Sequence, residues 1–405
     1  MLNQNPSLDS SNPPRVHVAG GGGPYANTRR AMEPIDLGPV RGKRVLLKPN
    51  IGRVAPPGSG IVTHPEVLAA AIDIFREAGA EVAVGESPII GVDVHEAFAV
   101  SGAAAVALPR DCPLIDMDRR PCVKVAVPEG QAIHTLQVCA EVLEFDFVVS
   151  IPVMKRHMHT GVTLAVKNMK GCLWRRSKVE LHMLPAVAGS TEKPLDVAIA
   201  DMASVLRPHL AIVDGTVGME GLGPSDGRPK ALDAVVVSGD AFAADAVACQ
   251  LMGVDAETIP HLRLGAGRGY GTIDLARVTV TPDGWREFVS PFAPPPGNLT
   301  IEFPNVTVID QCSCSACQST LLLFLTRYKD RIFDYFPGQT KVNVAIGKGH
   351  AELPEGTLLI GNCTASHRDQ GIFVPGCPPV GSQILAALAG KPPADDTDGR
   401  NGDQG

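Results

Sequence analysis

Five of the ten cysteines fall between Cys312 and Cys377, in three short blocks: Cys312-Ser-Cys314-Ser-Ala-Cys317, Gly361-Asn-Cys363-Thr364 and Val374-Pro-Gly-Cys377-Pro-Pro379. Thiolates carried on three loops can converge on one metal centre. A four-iron cluster wants four of them, with a C-x-x-C pair fixing two and distant loops supplying the others. Proline and glycine around Cys377 suit a fixed turn with few free backbone donors, close to a bulky inorganic core. Zinc also takes four cysteines, but its structural sites usually show two short C-x2–4-C knuckles, and only one close pair occurs here. Buried inert thiols are a third reading, and five within one small module weigh against it.

The densest polar chemistry lies from Val148 to Gly171, VVSIPVMKRHMHTGVTLAVKNMKG, with Lys155, Arg156, Lys167, Lys170, His157 and His159 following one apolar run. Lys48, Lys155 and Lys167 are expected to converge on a carboxylate or phosphate, with Asn50 and Asn168 orienting it through hydrogen bonds. The plain alternative is a solvated basic face. His157 and Lys155 are the candidates for the chemical step, His157 as a proton-transfer or ligand-orienting group because imidazole titrates near neutrality. His64 and His159 are further candidates for acid–base work or metal ligation. Asp214 and Asp240 follow strand-like runs and suit a cation, a substrate hydroxyl or a loop cap equally well. Gly20–Gly23 could cradle a phosphate, yet it lacks the spaced G-x-G-x-x-G pattern and a Walker lysine.

These residues need a scaffold that presents strand ends side by side. Short apolar runs at Arg15–Ala19, Arg44–Leu47, Glu81–Val84, Phe145–Ile151, Leu210–Val213 and Ala234–Val237 alternate with helical patterns, of which Pro65–Ala78 and Ala241–Met252 are the clearest. Pro65 stands in a first turn, Thr63 is a plausible cap, and Gly79 and Gly253 stop the two helices. The pattern predicts an α/β fold, a doubly wound and mainly parallel sheet whose ligands lie beyond the carboxyl ends of its strands. The Gly- and Pro-rich text from about Gly265 to Thr300 marks a boundary. A smaller α/β cysteine-rich module over 301–390 follows, with strands at Val306–Ile309, Val342–Ile346 and Leu358–Ile360 and a helix at about Ser382–Leu388. Residues 1–14 and 391–405 read as disordered ends around an α/β ligand-binding domain at 15–290.

Composition sets the outer limits. The chain has 405 residues, 44% hydrophobic and 20% charged, which excludes wholesale disorder. A net charge of −7, from 43 acidic and 36 basic residues, disfavours a dedicated nucleic-acid partner. The first residues show neither a basic start nor an apolar segment, and no apolar run approaches the roughly 18–20 residues of a membrane span. A cytoplasmic location, no membrane partner and reduced thiols are therefore expected.

The blocks Lys48-Pro-Asn50, Thr63-His64-Pro65, Val84-Gly-Glu86-Ser87, Pro152-Val-Met-Lys155-Arg-His157, Thr160-Gly-Val-Thr163 through Lys167-Asn168, and Asp240 through Asp245 (DAFAAD) resemble the family catalogued as domain of unknown function 362, over about Arg44 to Val254. Val153 stands where that family's P-K-x-K-x-H element has its first lysine. The C-terminal blocks C-S-A-C, G-N-C-T and V-P-G-C-P-P resemble the proximal-cluster region of nickel–iron hydrogenase small subunits and the related cluster-carrying subunit of respiratory complex I. That resemblance implies Cys314, Cys317, Cys363 and Cys377 as the ligands of one [4Fe–4S] cluster. Cys312 is then a spare thiol, able to replace Cys314 or to act as a labile neighbour. The expected function is electron transfer or an oxidoreductase reaction, with a small anionic ligand in the larger domain and a redox protein as partner. Two alternatives remain at this point. One is a cluster acting as a Lewis acid with three cysteine ligands, and the other is a non-enzymatic cofactor carrier or maturation factor.

Overall fold

Side chains alternate between the two faces of a strand, so an unbroken apolar run fills both faces of a sheet at once. The computed structural model shows this directly. Val148, Ala211, Val213 and Val236 enter one core, and Phe147, Val149, Leu210, Ile212, Val235 and Val237 enter the other. The structure describes residues 6–158, 160–182, 184–185, 187–294, 303–313, 315–328, 331–376, 378–379 and 381–390. The chain divides into two units, Met1–Pro295 and Pro296–Gly405.

The strands of the first unit are β1 (Arg15–Gly20), β2 (Arg44–Pro49), β3 (Glu81–Glu86), β4 (Leu114–Asp116), β5 (Val123–Ala126), β6 (Thr135–Val138), β7 (Phe147–Ile151), β8 (Val153–His157), β9 (Gly161–Thr163), β10 (Leu210–Glu220), β11 (Arg228–Ser238) and β12 (Thr279–Thr281). Ten of them form one sheet along the path β12-β1-β11-β10-β7-β2-β3-β4, with β8 and β9 attached beside β10, while β5 and β6 pair separately. Pairing is parallel through β10, β7, β2, β3 and β4 and antiparallel at β1/β11, β10/β11 and β8/β9. The fold is thus α/β with a mostly parallel central sheet. Helices cover both faces: Pro65–Glu77 packs into one core, Pro194–Ala203 and Ala241–Leu251 into the other.

Three expectations are corrected. The cap of helix Pro65–Glu77 is His64, whose Nδ1 accepts the Glu66 N–H at 3.2 Å. Thr63 instead accepts the Asn50 N–H and donates to the Ile151 carbonyl, tying β2 to β7. The short runs at Leu210 and Ala234 are the apolar parts of a hairpin with eleven-residue arms. Its outer halves are polar or glycine-rich and its register shifts between Gly215 and Val217, so no apolar pattern announces them. The amino-terminal segment is not free where it is described. Leu8 is buried and donates its N–H to the His209 carbonyl, and Ser7 Oγ donates to the Gly239 carbonyl at 2.7 Å.

In the second unit β13 (Val306–Asp310), β14 (Val342–Ile346), β15 (Thr357–Ile360) and β16 (Gly371–Val374) form a parallel sheet in sequential order. Helix Ser315–Tyr328 follows β13, and its Leu321, Phe324 and Leu325 are buried. Helix Gly381–Leu388 follows β16. The predicted tail from 391 lies outside the described residues. No helix among the described residues is long and apolar enough to cross a membrane.

Candidate functional site

Parallel strands end on one edge, and the polar residues that follow β2, β3 and β7 meet there. Lys48, the penultimate residue of β2, and Glu86, the last of β3, are almost fully buried and face each other. Lys48 Nζ donates to Glu86 Oε1 and Oε2 at 2.8 Å each and to the Pro49 carbonyl at 2.6 Å. The same carboxylate accepts the Ile51 N–H at 2.7 Å and the Ser87 N–H at 2.9 Å. Gly171 leaves room for this pair, since a Cβ there would lie 2.6 Å from Lys48 Nζ. Lys48 is therefore committed inside the protein, which sets it apart from the other lysines.

Asn50 and Asn168 relay the arrangement outward. Asn168 Nδ2 donates to the Lys48 carbonyl and Ser150 Oγ, and its Oδ1 accepts from Asn50 Nδ2 at 3.0 Å. Asn50 Oδ1 then accepts from Lys155 Nζ at 2.6 Å, and the Ile61 carbonyl accepts from the same ammonium at 2.9 Å. Lys167, on the four-residue helix Ala165–Asn168, donates to Thr163 Oγ1 at 3.1 Å. Lys170, in the next turn, contacts His182 Nε2.

Burial, followed by the neighbouring Arg53 and Lys48 charges, pushes the Lys155 amine down to about 7. Burial and then Lys155 push Lys167 down to about 7. Lys170 is pushed well below the usual lysine value by burial, then by Lys167 and Lys178. None of these three ammonium groups has an ion pair with a carboxylate among the described residues. Buried amines held in this way are neutral or anion-bound near neutral pH.

Asp245, from helix Ala241–Leu251, accepts the Ala165 and Val166 N–H groups at 2.6 and 3.0 Å and so fixes the turn that carries Lys167 and Asn168. Burial pushes its carboxyl up to about 8, against the lowering effect of those two bonds. Asp240 caps the same helix through the Phe242 and Ala243 N–H groups. Asp214 is spent on the His64 and Thr216 N–H groups, and burial raises its pKa. His157 is buried on β8 opposite Gly161. His159 lies outside the described residues. Gly20–Gly23 is no phosphate cradle, because Asp233 already fills it: its carbonyl accepts the Gly21 N–H, its carboxylate the Gly23 N–H, and both accept from Asn27 Nδ2. Sequence reasoning missed Lys178, which contacts Ser87 Oγ and pairs with Asp118 at 3.5 Å. No local pattern marks that group.

Of the four cysteines implied as cluster ligands, Cys317 and Cys363 are described, and Cys314 and Cys377 lie outside the described residues. Cys317 is buried in the first turn of helix Ser315–Tyr328, and Cys363 is exposed just after β15. Cys312 is exposed and has a left-handed backbone, φ 55°. The segments after β13, β15 and β16 meet at Gly361 (φ 91°), where a Cβ would lie 3.2 Å from Cys317 Sγ and 3.6 Å from the Gly376 carbonyl. Asn362 N–H donates to that carbonyl at 2.8 Å, and Asn362 Oδ1 accepts the Gly376 N–H at 2.8 Å. Among the described residues, no group of three or more His, Cys, Asp or Glu side chains is arranged to hold a metal ion.

A thylakoid-associated protein of Synechocystis sp. is 30% identical over 221 residues, 55% of this chain, and the chain spans 66% of that relative's length. Two solved structures are similar at lower identity. They are the lactate racemase apoprotein from Thermoanaerobacterium thermosaccharolyticum (14% identical, 59% of this chain and 57% of that one, TM-score 0.40) and a protein from Thermotoga maritima (13%, 56% and 57%, TM-score 0.34). The matched family region runs from β2 through helix Ala241–Leu251 and so contains Lys48, Glu86, Lys155, Lys167, Asn168 and Asp245. By that match, over residues 45–250, the chain belongs to the family described as Domain of unknown function (DUF362).

Proposed function

We propose that this chain is an iron–sulfur redox protein. Its second unit would hold one [4Fe–4S] cluster on Cys314, Cys317, Cys363 and Cys377, and its first unit would hold a small anion at Lys155 and Lys167. The observation that carries the cluster is the meeting of three cysteine-bearing segments at one strand edge around Gly361. Soft thiolate donors on neighbouring loops suit an iron–sulfur core, and the glycine there admits sulfur where a side chain would block it. When bound, such a cluster supplies one-electron transfer. The protein's part is to hold the thiolates, with Asn362 locking the Gly361 and Gly376 loops together, and to set polarity and solvent access around the sulfurs.

The test is anaerobic purification with iron and acid-labile sulfide assays and paramagnetic resonance before and after dithionite. A brown protein with about four irons per chain and a reducible signal is the expected result. A colourless protein carrying stoichiometric zinc overturns it, as does full iron and sulfide in Cys363→Ala.

A further inference from the structure

The lysines beyond the Lys48–Glu86 pair leave more N–H donors open than a simple carboxylate has oxygens. An ammonium group has three N–H donors. Among the described residues Lys155 uses two of them, on Asn50 Oδ1 and the Ile61 carbonyl, whereas Lys167 and Lys170 have one partner each, Thr163 Oγ1 and His182 Nε2. The carboxylates whose field reaches these amines are already engaged. Glu86 is held by Lys48, and Asp196 accepts from His261 Nδ1 at 3.0 Å. The remaining charged neighbours, Arg53, Lys48 and Lys178, are all cationic. Lys155 and Lys167 are 4% and 9% exposed, so water does little to screen them.

We propose that this lysine group, Lys155, Lys167 and Lys170, takes a doubly charged oxyanion of the phosphate type, as free phosphate or a small phosphate monoester, in preference to a monocarboxylate. The proposal rests on the reading that the first unit binds a small anion, and it adds the ligand's charge and shape. A monocarboxylate brings one charge and two oxygens to three uncompensated amines. A phosphate monoester brings a charge of about −2 and three strong acceptor oxygens pointing in different directions. It offers acceptors to the donors that Lys155, Lys167 and Lys170 leave open, and its charge draws protons onto amines that are otherwise partly neutral at pH 7–8.

Titration calorimetry on the full chain at pH 8, with inorganic phosphate, malonate and acetate in two buffers of different ionisation heat, tests this. Phosphate should bind at least about tenfold more tightly than acetate and more tightly than malonate, with net proton uptake from the buffer. Lys167→Met and Lys155→Met should each weaken phosphate by about tenfold or more, while Lys124→Met, at an exposed position, should leave it unchanged. Acetate matching phosphate, malonate exceeding it, or binding without proton uptake would overturn the assignment of charge or shape and leave the anion site standing. No binding of any of the three would overturn the anion site itself. Iron content measured on the same samples is independent of all these outcomes.

Discussion

Replacing Glu86 with glutamine isolates the buried charge pair. The carboxylate takes four hydrogen bonds, two from Lys48 Nζ and one each from the Ile51 and Ser87 N–H groups. An amide keeps one acceptor oxygen and turns the other position into a donor. Whichever way it is placed, an NH2 faces both the ammonium and a backbone N–H. Lys48, 1% exposed, then sits in the interior without a counter-charge. Breaking a buried pair from one side costs about 3–5 kcal/mol. With a urea slope of about 3 kcal/mol per molar, the unfolding midpoint should fall by about 1–1.7 M. Trp174 and Trp285 are the only tryptophans and both belong to the first unit, so fluorescence reports on that unit alone. Lys48→Met combined with Glu86→Gln should recover about 2 kcal/mol relative to the sum of the single changes. Strict additivity, or a loss below about 1 kcal/mol in Glu86→Gln, would show that the pair is not held as described.

Lys155 and Lys167 titrate near 7 when folded and near 10.4 when unfolded, so across that window the unfolded chain binds more protons and stability of the ligand-free protein rises with pH. Asp245, raised to about 8, opposes this below pH 8, and the buried Cys112, Cys139, Cys172 and Cys249 thiols, all raised by burial, oppose it above about pH 8.5, so the lysine contribution is read as the urea-midpoint gap between Lys167→Met and the parent protein, which should shrink as pH rises from 7 to 10; a gap independent of pH would contradict the lysine assignment. Lys167→Met should stabilise the ligand-free protein at pH 6 by about 1 kcal/mol or more, because it removes an uncompensated buried cation, and chemical denaturation measures the gain. Gly361→Ala should cost the second unit about 1–3 kcal/mol, since its φ of 91° is strained for any side chain, and should lower iron per chain; unchanged iron and stability would remove Gly361 from the argument. Cys312→Ala should leave iron and sulfide unchanged, and their loss would make Cys312 a ligand.

The apolar strand centres could be read from sequence because each fills two cores at once, which leaves a continuous hydrophobic run. The outer arms of β10 and β11 could not: β10 is buried there through glycines and the apolar Met219, β11 is exposed or half-buried there, and the register shift between Gly215 and Val217 breaks the alternation. The same contrast governs the site. Hydrogen bonds join Lys48, Asn168, Asn50 and Lys155, with Lys167 beside Asn168 on the same short helix, but Lys48 is held by Glu86 where the sequence suggested an anion. What sequence could not supply was the partner: Glu86 lies 38 residues from Lys48 and saturates it, whereas Lys155 and Lys167 have no such neighbour among the described residues. That difference depends on which strand ends adjoin. Asp214 and Asp240 look alike in sequence to ligand-binding aspartates, yet the backbone N–H groups around them claim their oxygens.

The position of β1 between β11 and β12 has a consequence for synthesis of the chain. Gly20 pairs with Ala234, and Arg15 with Thr279, so β1, once translated, lacks both of its neighbours until more than 200 further residues have been made. At roughly 5–20 residues per second, that leaves β1 with two open edges for about 10–40 s on the ribosome. The Ser7 and Leu8 contacts to Gly239 and His209 close only in the same late interval. Completion of the large sheet therefore waits until β11 and β12 reach β1, and a chaperone that holds an extended strand has its window before then.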